Sequence, residues 1–351
     1  MSPNYKFEIT PEDEASTRQY LYRQFSITPP LVSPQEVDLT GKTAVVTGSN
    51  VGLGLECARQ LLDLKLSRLI LAVRSKAKGE KARSDLLASC GLAPSAIEVW
   101  NLDLSEYNSI IKFAQRAQEL DHLDIVVMNA GLYKVEQTFN SSTGFEEDIQ
   151  VNYISTALLT ILLLPILRSK RSGPNPGRLT IVSSDTAGWA RFEERDSDPI
   201  FSAFKHLPRA SNTWNMQERY STSKLLGQLF LCELSDHLDP SEVIVTACNP
   251  GFCYGSDLQR EGNGTIFGLL VRVFTRIIGR TTSIGARSIT AAATRFGQEV
   301  HGQYVEDCEI HPMAPLIYQP NGKRIAKQLW EELLKELSFA GVRDIMLELG
   351  E

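Results

Sequence analysis

From Lys42 onward, short runs rich in β-branched residues alternate with longer stretches whose apolar positions recur every three or four residues. This is the rhythm of βαβ units around a parallel sheet, in which strands covered on both faces read as continuous apolar runs. Seven strands are predicted, at Thr43–Thr47, Arg68–Val73, Ile97–Asn101, Asp124–Met128, Leu179–Ser183, Val243–Cys248 and Tyr304–Val305. Helices are predicted near Leu53–Leu64, Lys76–Ser89, Tyr107–Leu120, Phe145–Arg168, Met216–His237 and Ser283–Phe296, each long enough for a crossover. Right-handed crossovers give an α/β fold with a doubly wound, seven-stranded parallel sheet.

The flanking and inserted segments break this rhythm. Residues 1–39 carry Pro29-Pro30 and Pro34 without sustained periodicity and read as an extended arm anchored by Tyr20, Tyr22 and Phe25. One catalytic domain is expected over 40–306, with insertions at 185–217 and 252–282 that follow strand ends and are therefore candidates for the substrate pocket. The extension 307–351 reads as another helix from about Gln319, with Leu329, Leu333, Leu334 and Leu337 at helical spacing.

Composition narrows the function classes. A net charge of -6 with 42% hydrophobic residues offers no basic face for nucleic acid or anionic lipid. The polar, acidic stretch Met1–Tyr20 has no signal-like apolar run, and the six cysteines lack paired spacing, so a cytoplasmic protein with reduced thiols is expected. The nearest candidate for a membrane span, Ala157–Leu167, is too short to cross a bilayer and is broken by Pro165, so no stable membrane insertion is expected. His301, Cys308 and His311 match no tight ligand spacing, and no metal is expected.

After the first strand comes Thr47-Gly48-Ser49-Asn50-Val51-Gly52-Leu53-Gly54, opening an amphipathic helix. In that context it is a dinucleotide-binding turn of a Rossmann fold. Gly48 permits the bend, Gly52 brings backbone N–H groups to a pyrophosphate, and Gly54 allows close helix-to-sheet packing. The second strand ends Val73-Arg74-Ser75 and carries no carboxylate for the ribose hydroxyls. Arg74, with Ser49 or Asn50 beside it, suits a 2′-phosphate and so NADP(H); otherwise Arg74 only covers the helix that follows.

Tyr220-Ser221-Thr222-Ser223-Lys224 puts a phenol and an ammonium on one helical face. A neighbouring cation and an oxidised nicotinamide favour the phenolate, so Tyr220 can exchange a proton with a substrate oxygen. Ser184, at the end of a strand, is the candidate partner for that oxygen; Ser183, on the opposite face, is the alternative.

These strings together resemble the short-chain dehydrogenase/reductase family: the glycine turn, Asp103, Asn129-Ala130-Gly131, Asn152, Ser184, Tyr220-x-x-x-Lys224 and Asn249-Pro250-Gly251 occur in order from Lys42 to Val305. The resemblance implies that Asp103, with Leu104, contacts the adenine, and that Asn129 braces the sheet beside the cofactor, which Ala130 and Gly131 also contact. It further implies that Asn152 holds a relay water, that Lys224 binds the nicotinamide ribose, and that Pro250 and Gly251 line the nicotinamide. Two departures stand out. Gly255 occupies the place of a usual threonine, with Ser256 one residue further on. The stretch from Ser184 to Tyr220 is long, as in retinol-dehydrogenase-like members, and carries Trp189, Phe192, Phe201, Phe204 and Trp214. The Pro29-Pro30 leader and the tail helix resemble fungal members of secondary metabolism.

The expected activity is NADPH-dependent reduction of a ketone or aldehyde of a hydrophobic small molecule, or oxidation of the alcohol. The alternatives are a non-redox epimerase, isomerase or dehydratase using the same site, and a catalytically silent NADP(H)-binding regulator. The apolar run at 266–278 reads as a lid over the substrate, with membrane contact the alternative. The helices holding Ala157–Leu167 and Leu225–Leu234 form a possible pairing surface, and a homodimer or monomer is expected.

Overall fold

The computed structural model describes residues 6–205, 214–255, 276 and 278–350. Two short N-terminal helices, α1 (Pro11–Glu14) and α2 (Thr17–Ser26), precede the alternating core. The core begins β1 (Thr43–Thr47), α3 (Gly52–Asp63), β2 (Arg68–Val73), α4 (Lys76–Cys90), β3 (Ile97–Asn101), α5 (Tyr107–Gln118) and β4 (Ile125–Met128). It continues with α6 (Glu147–Ile149), a π-helical turn (Gln150–Ser155), α7 (Thr156–Ser169), β5 (Gly177–Val182), α8 (Met216–Asp236) and β6 (Val243–Asn249). The remainder is β7 (Cys253–Tyr254), β8 (Arg280–Thr281), α9 (Thr282–Thr294), β9 (Tyr304–Glu306), β10 (Glu309–His311), α10 (Pro315–Tyr318), α11 (Pro320–Glu336) and α12 (Val342–Leu349).

The main sheet runs β10-β9-β6-β5-β4-β1-β2-β3. The seven expected strands are there and pair in parallel; the eighth, β10, turns back antiparallel on β9 and was not legible as a strand. Side chains alternate between two buried clusters: Val45 and Ile70 face α5, α7 and α8, while Val46 and Leu71 face α3 and α9. The order reverses at β1, which lies between β2 and β4, and this is the switch point beyond whose carboxyl ends a ligand cleft opens.

The leader, expected as an extended arm, is helical over Pro11–Glu14 and Thr17–Ser26. Ser16 caps α2, its hydroxyl accepting from Gln19 N at 3.2 Å. Helical geometry then puts Tyr20, Arg23 and Gln24 on the inner face, leaving Tyr22 and Phe25 exposed at 55% and 60%. Of the three aromatics expected to anchor it, only Tyr20 makes a ring contact among the described residues, edge-to-face on Trp189 with centroids 5.2 Å apart. Buried Arg23 and Gln24 anchor the rest.

The tail is three helices rather than one, because Gly341, at φ +65°, and Pro320 interrupt it. Leu329, Leu333 and Val342 join the same core as Leu163 and Leu229. The α7 and α8 surfaces expected to pair two copies are thus packed against the chain's own α11 and α12. Glu147–Ser169 forms a continuous 23-residue helical span, longer than the apolar run suggested; its most apolar 18-residue stretch has a mean hydropathy of 1.7, enough by length and composition to cross a membrane, but 89% of that stretch is buried within the fold.

Candidate active site

A cleft of about 500 Å³ lies along the carboxyl ends of β1, β2, β4, β5 and β6. At one end the glycine turn gives it a bare-backbone floor. Gly48 and Gly52 both have φ of +64°, a region open to glycine. A Cβ on Gly54 would sit 2.4 Å from Asn129 Nδ2 and 2.7 Å from Gly48 O, so the start of α3 tolerates no side chain there. Gly48, Asn50, Val51 and Leu53 line the cleft. Ser49 does not: it is fully buried and its hydroxyl donates to Val46 O at 2.8 Å, closing the turn instead of facing a ligand.

Asn129 holds this floor against β4. Its Nδ2 donates to Thr47 O at 2.9 Å and Gly48 O at 3.3 Å, and Ala130 N donates to Thr47 Oγ1 at 2.9 Å. Gly131 lies so near the catalytic candidates that an added Cβ would be 3.1 Å from Asn152 Oδ1 and 3.7 Å from Lys224 Nζ. Asp103 and Leu104 line the side wall; the Asp103 carboxylate accepts from Ser105 N at 2.9 Å. Arg74, exposed at the end of β2, lines the same region with Lys78, and no hydrogen bond or ion pair engages its guanidinium among the described residues.

At the other end the four expected catalytic residues converge. The π-helical turn widens the backbone at Asn152, whose Oδ1 accepts from Leu132 N at 2.8 Å while Nδ2 donates to Leu132 O at 2.9 Å and Ser223 Oγ at 3.0 Å. Lys224, one turn beyond Tyr220 on α8, donates to Val182 O at 2.9 Å and lies 5.6 Å from the Tyr220 ring centre. Burial lowers the Lys224 ammonium to about 8. The Tyr220 phenol is held above its ordinary value, first by burial and then by the charge of Asp185, with a hydrogen bond from Ser184 acting the other way. The lowered phenol expected from the neighbouring lysine is therefore not a property of the protein groups by themselves.

Between Ser183 and Ser184, the structure places the second against Tyr220. Ser183 Oγ accepts from Gln228 Nε2 at 3.3 Å, behind the sheet end. The Ser184 hydroxyl donates to Asp185 Oδ1 at 3.1 Å and accepts from Thr186 Oγ1 at 3.0 Å and Thr186 N at 3.2 Å. Since a hydroxyl has one proton, Asp185 and the Tyr220 phenol compete for it. Burial raises the Asp185 carboxyl.

Pro250 and Gly251 line the cleft above β6, with Gly251 at φ +74°. Gly255 ends the described part of this loop at φ +84°; Ser256 and most of the 266–278 run lie outside the described residues, as do 206–213 of the first insertion. Of the aromatics expected to make a substrate pocket there, Phe192, Phe201 and Phe204 are buried in the core, and Trp214 donates to Val135 O at 2.9 Å. Only Trp189 of the five lines the cleft. Sequence reading assigned no site role to Tyr20, Tyr133, Asp185 or Phe252, which also line it. Tyr133 and Asp185 directly follow strand-end motifs and were open to that reading; Tyr20 reaches the cleft only through folding.

A fold wound about this switch point, with a glycine floor at one end and a buried tyrosine–lysine pair at the other, defines a nicotinamide-dependent oxidoreductase. Comparison with known proteins makes the class specific. Residues 42–194 match the short chain dehydrogenase family model. The chain is 50% identical to "Short-chain dehydrogenase fogG" of Aspergillus ruber over 97% of each chain. It is 43% identical to "Short chain dehydrogenase/reductase mfmJ" of Annulohypoxylon moriforme over 93% of each. The chain belongs to the short-chain dehydrogenase/reductase family. Among solved structures, the Pseudomonas aeruginosa RhlG/NADP active-site complex shares the fold at TM-score 0.56 and 24% identity, covering 77% of this chain and 96% of that one. A short chain dehydrogenase of Escherichia coli complexed with NADPH does so at TM-score 0.56 and 19% identity, covering 79% and 99%.

Proposed function

We propose that this oxidoreductase uses NADP(H) to reduce the ketone or aldehyde group of an apolar small molecule, or to oxidise the corresponding alcohol. The observation that carries the reading is the convergence of Asn152, Ser184, Tyr220 and Lys224 at one end of a cleft whose other end is the glycine floor. The residues fit the dinucleotide: bare backbone at Gly48, Gly52 and Gly54, a carboxylate at Asp103, and two exposed cations, Arg74 just past β2 and Lys78 in the first turn of α4, whose charged ends have no partner among the described residues. Arg74 suits a 2′-phosphate, for which a ribose-binding acid would be repulsive. Relatives from fungi support a place in fungal secondary metabolism.

Bound there, the nicotinamide supplies hydride to the carbonyl carbon or takes it from the alcohol. The chain's own groups manage the oxygen. Ser184 donates a hydrogen bond to it, and Tyr220 Oη gives its proton in reduction and recovers one in oxidation. Lys224, fixed by Val182 O, keeps a positive charge beside the phenol as it becomes phenolate, and Asn152 holds Ser223 and the Leu132 backbone beneath them. A phenol raised by burial remains protonated and ready to donate, which suits the reductive direction.

The test is loss of NADPH absorbance with a panel of bulky ketones and aldehydes, wild type beside Tyr220→Phe. Turnover that falls at least about a hundredfold in the variant supports the reading, within the range for removing a general acid. Turnover that survives the substitution refutes Tyr220 as the acid. Net conversion without stoichiometric NADPH loss would instead identify a non-redox reaction.

A further inference from the structure

We propose that the N-terminal helix α2 is a wall of the active site, with Tyr20 a specificity-determining residue for flat, ring-bearing carbonyl compounds and Gln24 the positioning residue that holds this wall in place. The inference rests on the carbonyl-reductase reading for its substrate, and on geometry for its mechanics.

Gln24 spends its whole carboxamide on the loop that follows β6. Nε2 donates to Phe252 O at 2.9 Å and to Ile278 O at 2.8 Å, while Oε1 accepts from Phe252 N at 3.2 Å. Phe252 and Ile278 are far apart in sequence, but Arg280 N also donates to Phe252 O at 2.9 Å, so the two segments meet where β7 pairs with β8. One side chain from the leader ties that junction together. The contact reaches the backbone beside the cofactor end of the cleft: a Cβ on Gly251 would lie 3.0 Å from Arg280 Nη1 and 3.2 Å from Gln24 Oε1. Gly251 is thus favoured by its positive φ, and a side chain there would also crowd the Gln24 and Arg280 side chains.

Buried charge prevents α2 from sliding. Arg23 pairs with Glu14, Glu306 and Asp307, and Arg280 pairs with Asp307 while donating to Arg23 O at 2.6 Å and Ile27 O at 3.1 Å. Displacing the helix would break the Arg23–Glu306 and Arg23–Asp307 pairs and leave Arg280 Nη2 without its two backbone acceptors.

With α2 fixed, Tyr20 is presented to the cleft that also holds Ser184 and Tyr220. Its ring meets Trp189 at an interplanar angle of 79°, and Trp189 is itself bound to the leader through Nε1 donating to Ala15 O at 2.8 Å. Phe252, held by Gln24, lines the same cleft. A carbonyl oxygen seated at Ser184 and Tyr220 therefore has aromatic faces and edges around the body of its molecule, a surrounding that favours rings over open chains.

The full chain and the variants Tyr20→Ala, Tyr20→Phe and Gln24→Ala are to be compared with NADPH and two probes, 2-naphthaldehyde and hexanal. Tyr20→Ala is expected to lower the ratio of kcat/KM for 2-naphthaldehyde over hexanal about tenfold, chiefly through KM, and Tyr20→Phe to keep most of it, as loss and retention of one aromatic contact predict. An unchanged ratio in Tyr20→Ala overturns the specificity role. Titration with 2-naphthaldehyde followed by tryptophan fluorescence needs no turnover; it should show binding by the wild type and about tenfold weaker binding by Tyr20→Ala. No binding by the wild type, or equal binding by both, also overturns that role. Hydrogen exchange decides the mechanics: in Gln24→Ala the amides of 250–255 and 278–281 should exchange faster, with β2 as the unchanged control. Unchanged exchange there overturns the positioning role. If neither probe is reduced but binding and exchange respond as stated, the reductase reading fails and the wall stands.

Discussion

Replacing Arg74 with alanine separates the proposed 2′-phosphate site from a merely structural arginine. The side chain is exposed at the end of β2 and makes no hydrogen bond or ion pair among the described residues, so its removal should leave the thermal midpoint unchanged. A buried charge-assisted hydrogen bond contributes about 1.5–3 kcal/mol, and a guanidinium can make two to a phosphate. Exposure to solvent screens them, so the pair together is worth about 1.5–3 kcal/mol rather than twice that. At about 1.4 kcal/mol per tenfold, NADPH should bind roughly 10- to 100-fold more weakly to Arg74→Ala. NADH lacks the phosphate and should bind equally to both proteins. Titration of cofactor fluorescence at two salt concentrations measures this directly, and the wild-type preference should shrink as salt rises. Lys78→Ala, removing the other cation at that end of the cleft, should show the same sign. An NADPH-to-NADH affinity ratio unchanged in Arg74→Ala would refute the assignment.

Lys224, lowered by burial to about 8, carries its proton below that pH and loses it above, so reduction should decline as the medium passes about pH 8; Lys224→Arg should move that limb upward in a kcat profile, and an unmoved limb would assign it elsewhere. Gly54→Ala would put a carbon 2.4 Å from Asn129 Nδ2, so cofactor affinity should fall by at least about tenfold with the circular dichroism spectrum retained; unaltered NADPH titration would contradict the close-packing argument. Because α11 and α12 cover α7 and α8, light scattering should report a 39 kDa monomer, and a stable dimer would show pairing through another face. Trp330, stacked on His237 and Phe230, should cost about 3–5 kcal/mol of stability when replaced by alanine, read by urea denaturation; a loss below about 1 kcal/mol would mean the tail is not part of the cooperative core.

The central α/β rhythm was legible because parallel strands buried on both faces read as short runs of β-branched and apolar residues, as the wholly buried Thr43–Thr47 and Ile125–Met128 do. The glycine turn and Tyr220–Lys224 were legible because their chemistry is local: a positive φ at Gly48 and one helical turn between phenol and ammonium need no distant partner to be recognised. What tertiary structure decided is what depends on contacts between remote segments. Phe201 and Phe204 look like pocket residues in the sequence, but packing sends them into the core, while Tyr20 looks like a surface anchor and reaches the cleft. Strand β10 has only three residues and takes its identity from antiparallel pairing with β9. Arg23 and Gln24 carry no local mark of importance, since apart from Glu14 the carboxylates and carbonyls that engage them come from residues 252–307. Backbone conformation and nearby side-chain chemistry are written within a few residues; burial and charge pairing are set only when the whole chain has closed around them.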